Sequence, residues 1–437
     1  MLRTSVNPEN PMVGRRAIRS KGIWKKGLAL LIVTLAVSLY LGEGLLRLVY
    51  DATPFPVYGA RHPLGFEIAG HTIRVKQSEF DVSMTFNSFG YRDNEFPIPP
   101  SPEGNRVVFV GDSFVEGFGV EKAARMTERL QDLMNEEKSG NWRVVNLGQL
   151  ATGPDSYFKN LVGLGLALRP NIVVMGLFLG NDFLSSKPLL PYRVVETVQL
   201  PPKNPVAPWL TLGFTRALVR QTADKLAKPL LVRPHREFAL NPELPFWEIY
   251  YHQPITRNFF LAQTGLTSEQ FDERCKTIDP VLVRDSMNGM CNPSFLIGAV
   301  KREGLPTSGT YYQAKDEERV FAHILECARI LRERSVHFLV VIIPDAAQAV
   351  GAKEAERQRQ RWGESGVPTR LREIAGIQAR LISTLRSADV ACLDLTPGFQ
   401  TSTNAYYEED THLTPTGHRL AAESIFQRML KEKWFVP

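Results

Sequence analysis

Along this chain, apolar positions fall into short unbroken runs separated by stretches in which they recur every three or four residues. The run Val107–Val110, in RVVFVGDSF (106–114), is too short and too β-branched for a helix and predicts a buried strand. Gly111 permits a sharp turn behind it, and the spacing over 121–138 predicts a helix. The alternation then repeats. Residues 142–146 predict a strand and 155–168 a helix, while 171–179, NIVVMGLFL, is a second fully apolar strand that stops at Gly180-Asn181-Asp182. A helix over 316–334, a strand over 336–343, a helix over 369–385, a strand over 390–395 and a last helix behind Thr414-Pro415 complete the pattern. Strands separated by helices predict an α/β fold, a doubly wound parallel sheet of about five strands with helices on both faces.

Two stretches do not fit the alternation. Residues 183–314 are rich in proline and aromatics and too long for a loop, which predicts an inserted cap subdomain beside the strand ends. Within it, 208–233 carries Arg216, Arg220, Lys225, Lys228 and Arg233 against Asp224, interleaved with leucines and Trp209. That pattern suits a cap helix packed on the sheet domain, or a helix lying on an anionic membrane. Residues 49–105 are proline-rich with little periodicity and predict an extended lead-in, SMTFNSFGYRDNEF (83–96) being its most ordered part.

At the N-terminus, 27–42 is an uncharged apolar run, and continuing through Leu45, Leu46 and Leu48 would reach bilayer length at the cost of Glu43 and Arg47. Residues 27–48 therefore predict a transmembrane signal anchor, preceded by a basic tail at 1–26. Seven basic residues against Glu9 make that tail the source of the whole net charge of +6. The remaining chain is balanced, which argues against a nucleic-acid partner. Basic residues before the span place the N-terminus in the cytoplasm and everything after it outside, on the periplasmic side in a Gram-negative cell. Two alternatives stay open: cleavage at Ala36-Val37-Ser38, which resembles a signal-peptidase site, and a buried soluble helix.

The four cysteines agree with an oxidising compartment. Cys275 and Cys291 share one loop-rich region and are a candidate disulfide, while Cys327 and Cys392 fall on a helix and a strand, where buried free thiols are common. No Cys/His spacing suggests a metal, and no cofactor is expected.

Chemistry enters at the strand ends. Ser113, Asn146-Leu147-Gly148 and Asn181 each follow a predicted strand, and His412 precedes the last helix. In a parallel sheet those loops emerge on one edge, so residues far apart in sequence converge. Their types suit a single chemistry, with Ser113 as hydroxyl nucleophile, His412 as its base, and Asp410 to orient the imidazole. The backbone N–H groups of Ser113 and Gly148, with the Asn181 amide, are three candidate donors to an oxyanion. Asp112 and Asp182 read as groups that hydrogen-bond the turns aiming Ser113 and Asn181, and His418 as a packing or capping residue.

The blocks GDSFVEGFG (111–119), NLGQLATG (146–153), LGNDF (179–183) and EEDTHLTPTGHRLAAE (408–423) resemble the motifs of the SGNH, or GDSL-type, hydrolase family. The resemblance covers 106–182 and about 315–437, leaves the cap unmatched, and implies a flavodoxin-like SGNH hydrolase domain. It assigns Ser113 as nucleophile, Gly148 and Asn181 as oxyanion donors, and His412 as base. Many relatives place the triad acid three residues before the histidine, where this chain has Glu409. Asp410, two residues before, resembles the membrane-anchored and polysaccharide-modifying branches and is preferred, with Glu409 as the alternative. FNSFGYRDNEF also resembles a stretch upstream of the GDS block in membrane-anchored members, which makes Arg92 a candidate contact for an anionic substrate group.

These readings predict a single-pass membrane protein with an extracytoplasmic serine esterase acting on the O-acyl ester of a lipid or glycan, acetyl or short acyl, through a Ser113–His412–Asp410 triad. The alternatives are an O-acyltransferase acting on a cell-envelope polysaccharide, and a non-catalytic envelope scaffold. A cap groove lined by Trp209, Trp247, Tyr250 or Tyr251 would argue for a sugar acceptor.

Overall fold

The computed structural model describes residues 25–42, 45, 72–98, 100–138, 141–184, 193–195, 198–200, 256–301, 313–363, 367–402 and 404–435. The chain divides into two compact units, one of residues 1–55, 191–195 and 200–231, the other of 56–190, 196–199 and 232–437. In the first, α1 (Lys25–Gly42) has a mean hydropathy of 1.5 with none of its residues buried, long and apolar enough to cross a membrane. Its leucines face outward, Leu30 and Leu41 at 68% and 70% exposure, so no core among the described residues explains their apolarity.

The second unit holds the sheet. A hairpin of β1 (Thr72–Lys76) and β2 (Asp81–Thr85) comes first. The lead-in is therefore not wholly extended: Phe80, Val82, Met84 and Phe86 alternate inward and pack with Phe118. Five parallel strands follow: β3 (Asn105–Gly111), β4 (Trp142–Gly148), β5 (Ile172–Phe178), β8 (His337–Ile343) and β9 (Ala391–Asp394). Two short strands, β6 (Arg193–Val195) and β7 (Val198–Leu200), lie between β5 and β8 in sequence. The sheet runs β4-β3-β5-β8-β9, the doubly wound order that the alternation implies. All seven residues of β5 are buried, because a central parallel strand is covered on both faces.

After β3 come a single-turn helix α2 (Ser113–Glu116) and α3 (Met126–Lys138), and α4 (Pro154–Gly163) follows β4. The chain steps from β3 to β4 in one direction and from β4 back past β3 to β5 in the other, and the right-handed rule for parallel crossovers then puts α3 and α4 on opposite faces. The reversal at β3 opens a crevice at its carboxyl end, where Ser113 stands. Beyond β6 and β7, the described part of the insertion holds four short helices: α5 (Arg257–Thr264), α6 (Ser268–Cys275), α7 (Pro280–Met287) and α8 (Pro293–Lys301). They close on their own core of Phe260, Phe271, Leu282, Leu296 and Val300. The chain returns to the sheet through α9 (Ala314–Arg332) before β8. Then come α10 (Ala346–Val350), α11 (Ala352–Arg361), α12 (Val367–Ser387), α13 (Thr396–Gln400) and α14 (Pro415–Lys431). Trp362, at the end of α11, packs against the α5–α8 core and ties it to the sheet domain.

The disulfide is a correction, since all four cysteines are free. The Cys291 thiol is turned to Ser78 Oγ at 3.9 Å and Glu409 Oε2 at 3.5 Å, away from any bridge. Residues 208–233 and the aromatics Trp209, Trp247, Tyr250 and Tyr251 lie outside the described residues.

Candidate active site

Ser113 owes its position to a floor of glycines. A Cβ on Gly111 or Gly176 would meet Val115 Cγ2 at 2.2 or 2.4 Å, and one on Gly148 would meet the Glu116 nitrogen at 2.4 Å. These three glycines on β3, β5 and β4 leave a hollow into which Val115 drops, seating α2 on the sheet with Ser113 at its head. Asp112 caps the turn by accepting the Phe114 N–H at 2.9 Å, and Gly117, at φ 81, ends it. Asn146 then clamps α2 to β4, its Nδ2 donating to Val115 O at 2.7 Å.

His412 Nε2 lies 2.8 Å from Ser113 Oγ, and Nδ1 bonds Asp410 Oδ1. With Nδ1–H donating to the carboxylate, Nε2 is free to accept the Ser113 proton. The imidazole is held between the Phe114 and Phe118 rings, each with its centroid 4.9 Å away. Burial alone pushes the imidazole down, but the charge and hydrogen bond of Asp410 more than offset it, and the net shift is upward. Between the two residues, Thr411 sits at φ 65, an uncommon conformation for a β-branched residue, in the turn that sets the Asp410 carboxylate against the His412 ring.

Asn181 faces a cavity of about 380 Å³ together with Ser113, Ala151, Asp410 and His412. Its turn is set by Asp182, which accepts from Phe178 N at 2.7 Å and Tyr157 Oη at 2.6 Å. Burial pushes the carboxyls of both Asp112 and Asp182 up from the usual range, as expected of groups that hold turns inside the fold. The far wall of the cavity comes from Asn292 and Phe295 of the insertion and from Gln358, Arg359 and Trp362.

Three expectations are corrected. The Gly148 N–H donates to Asn146 Oδ1 at 2.8 Å and is spent inside the fold, so the missing Cβ serves the close approach of α2. Ala151, three residues on, lines the cavity instead at φ 54, on a loop held by Leu150 N donating to Glu116 Oε2 at 2.5 Å. Its signal in the sequence is weak, since alanine does not advertise a left-handed residue as glycine does. Arg92 is buried at 2% exposure, its guanidinium donating to Gly117 O, Val120 O and Ser83 O, and it does not reach the cavity. Burial and the adjacent Arg125 pull it down to about 9. Glu409 turns away from His412, to Ser78 Oγ at 2.9 Å and Arg361 Nη2 at 3.3 Å. His418 is a buried packing group whose Nδ1 accepts the Met126 N–H at 3.3 Å.

A doubly wound sheet thus gathers a serine, a histidine–aspartate pair and an asparagine at its carboxyl edge. Residues 305–436 match a family model described as "SGNH hydrolase-like domain, acetyltransferase AlgX". Residues 305–436, which include the 408–423 block with Asp410 and His412, are thus similar to an SGNH hydrolase-like domain. Among solved structures it is similar to "TesA", at 10% identity and a TM-score of 0.35 over 74% of this chain and 98% of that one. It is also similar to the acetyl xylan esterase AlAXEase, at 9%, 0.35, 74% and 98%. A lipase/acylhydrolase from Enterococcus faecalis gives 11%, 0.34, 75% and 96%. No curated protein sequence matches the chain.

Proposed function

We propose that the protein is a membrane-anchored serine esterase that cleaves an O-acyl ester through Ser113, His412 and Asp410. The observation that carries this is the contact of Ser113 Oγ with His412 Nε2 while Asp410 holds Nδ1. Ser113 Oγ attacks the ester carbonyl as its proton passes to Nε2, and Asp410 stabilises the imidazolium. The tetrahedral oxyanion is met by the Ser113 N–H, the Asn181 amide and, in place of Gly148, the Ala151 N–H. His412 returns the proton to the leaving alcohol, and an acyl-Ser113 ester remains for water to hydrolyse. Labelling with a fluorophosphonate tests this: the wild type is expected to react once, and Ser113→Ala not at all. An unlabelled wild type, or equal labelling of both, refutes it.

One observation favours a second reading, transfer of the acyl group to a glycan hydroxyl: the family description names an acetyltransferase. Acetate released from an acetyl ester at the same rate with and without oligosaccharide, with no acylated sugar, would exclude it. We further place the catalytic unit outside the cytoplasm, because the basic tail precedes α1. A reporter fused after Pro437 is expected to be active only outside, and cytoplasmic activity alone would overturn the orientation.

A further inference from the structure

Glu79 lies in the turn between β1 and β2, 331 residues before Asp410. Its carboxylate accepts three consecutive main-chain N–H groups, Glu408 at 2.7 Å, Glu409 at 3.0 Å and Asp410 at 2.8 Å. Such a run of amides is a nest for an anion, and here the anion is a side chain of the lead-in. The segment it grips runs directly into Thr411, at φ 65, and His412. A β-branched residue persists there only where its surroundings over-determine it. Two other bonds close the same loop: Tyr407 N donates to His412 O at 2.9 Å, and Tyr407 Oη to Gly119 O at 2.9 Å.

The turn that supplies Glu79 is itself anchored on several sides. Ser78 N donates to Met290 O of the insertion at 2.7 Å and Ser78 Oγ to Glu409 Oε2 at 2.9 Å. The Phe80 ring packs on Phe118 and Tyr407, with centroids 5.6 and 5.2 Å away. None of these residues belongs to the doubly wound sheet, which pairs without them. What the hairpin adds is a fixed carboxylate beneath the residue that orients His412, placed there despite the like charge of Asp410.

On the serine-esterase reading proposed above, we infer that Glu79 is a positioning residue for the Asp410–His412 pair. Its carboxylate holds the 408–410 main chain in the conformation that presents Asp410 to the imidazole. Glutamine at this position keeps the size but offers one acceptor oxygen, and its NH₂ would face a main-chain N–H. Aspartate keeps the charge one methylene short.

The test uses the full chain in detergent, as wild type, Glu79→Gln and Glu79→Asp. Active sites are counted by running fluorophosphonate labelling to completion, and kcat and KM on a short-chain aryl ester are expressed per labelled site. Thermal unfolding is followed in parallel. Glu79→Gln is expected to lower kcat per labelled site by about 10- to 100-fold, the range for groups that orient a functional side chain, with KM within about twofold. Glu79→Asp should fall between it and the wild type. A merely structural role would lower Tm and the number of labelled sites but leave kcat per site within about twofold, and that result overturns the inference. If Glu79→Gln yields no labelled sites, the same comparison is made on Glu79→Asp. A wild type that does not label removes the esterase reading itself, and this is seen before any variant is measured.

Discussion

Asp410→Asn is expected to lower kcat for ester cleavage by about 10⁴-fold, and His412→Ala by a comparable or larger factor. The asparagine keeps the shape but can turn its NH₂ toward Nδ1, stabilising the tautomer that carries its proton on Nε2. That tautomer cannot accept the Ser113 proton across the 2.8 Å contact. Adding Ser113→Ala to the His412 variant should reduce the rate little further, because nucleophile and base act as one unit. Glu409→Gln, by contrast, should leave kcat within a few-fold, since that carboxylate faces Arg361 and Ser78. The reverse ranking would transfer the orienting role to Glu409. The pH profile follows from the same geometry. His412 works as a neutral base, and its folded-state pKa is raised, so kcat/KM should be complete above that raised value and fall as pH drops through it. Asp410, Asp112 and Glu116 are the charges that raise it. Removing the Asp410 charge should therefore shift the acid limb to lower pH, measurable in the residual activity of Asp410→Asn.

Arg125→Met is the substitution expected to cost most in stability among surface-remote charges, about 3–5 kcal/mol, the range for breaking a buried ion pair. Arg125 is 0% exposed, and its Nε donates to Glu128 Oε2 at 2.9 Å while Nη1 donates to Arg92 O and to Glu116 O at 3.3 Å. Methionine fills the volume but strands two carbonyls and a carboxylate, and Arg92 loses the main-chain support that aims its own guanidinium at Gly117 and Val120. The Glu116 carbonyl, and those of Gly117 and Val120 that Arg92 holds, lie in the turn that closes α2, so labelling of Ser113 should fail at a lower temperature than global unfolding of the wild type. Arg74→Ala, which breaks an exposed pair with Asp81, is the control and should change stability by less than about 1 kcal/mol. Equal Tm for the two variants would show that the arginine pair does not brace the turn.

The sheet was legible in the sequence because parallel strands buried on both faces leave unbroken apolar runs, and β3, β5 and β8 are such runs. Ser113, Asn181 and His412 were legible for the same reason: strand ends mark where loops gather, and the residue types there suit one chemistry. Asp410 and Glu409 were not separable by spacing alone. Adjacent residues in a loop point in different directions, and the choice between them fell to φ 65 at Thr411 and to what each carboxylate meets.

Local sequence thus determined the strands, the helices between them, the apolar N-terminal helix and the chemical types at the carboxyl edge, since each depends on residues a few positions apart. Tertiary structure decided the rest. It buried Arg92 under the Ser113 turn, spent the Gly148 amide on Asn146, placed Ala151 at the cavity and set Glu79 against the 408–410 amides. Each of those outcomes turns on which main-chain donors and acceptors remain unpaired once distant segments pack. Hydrogen-bonding partners hundreds of residues away leave no periodic trace in the chain that carries them.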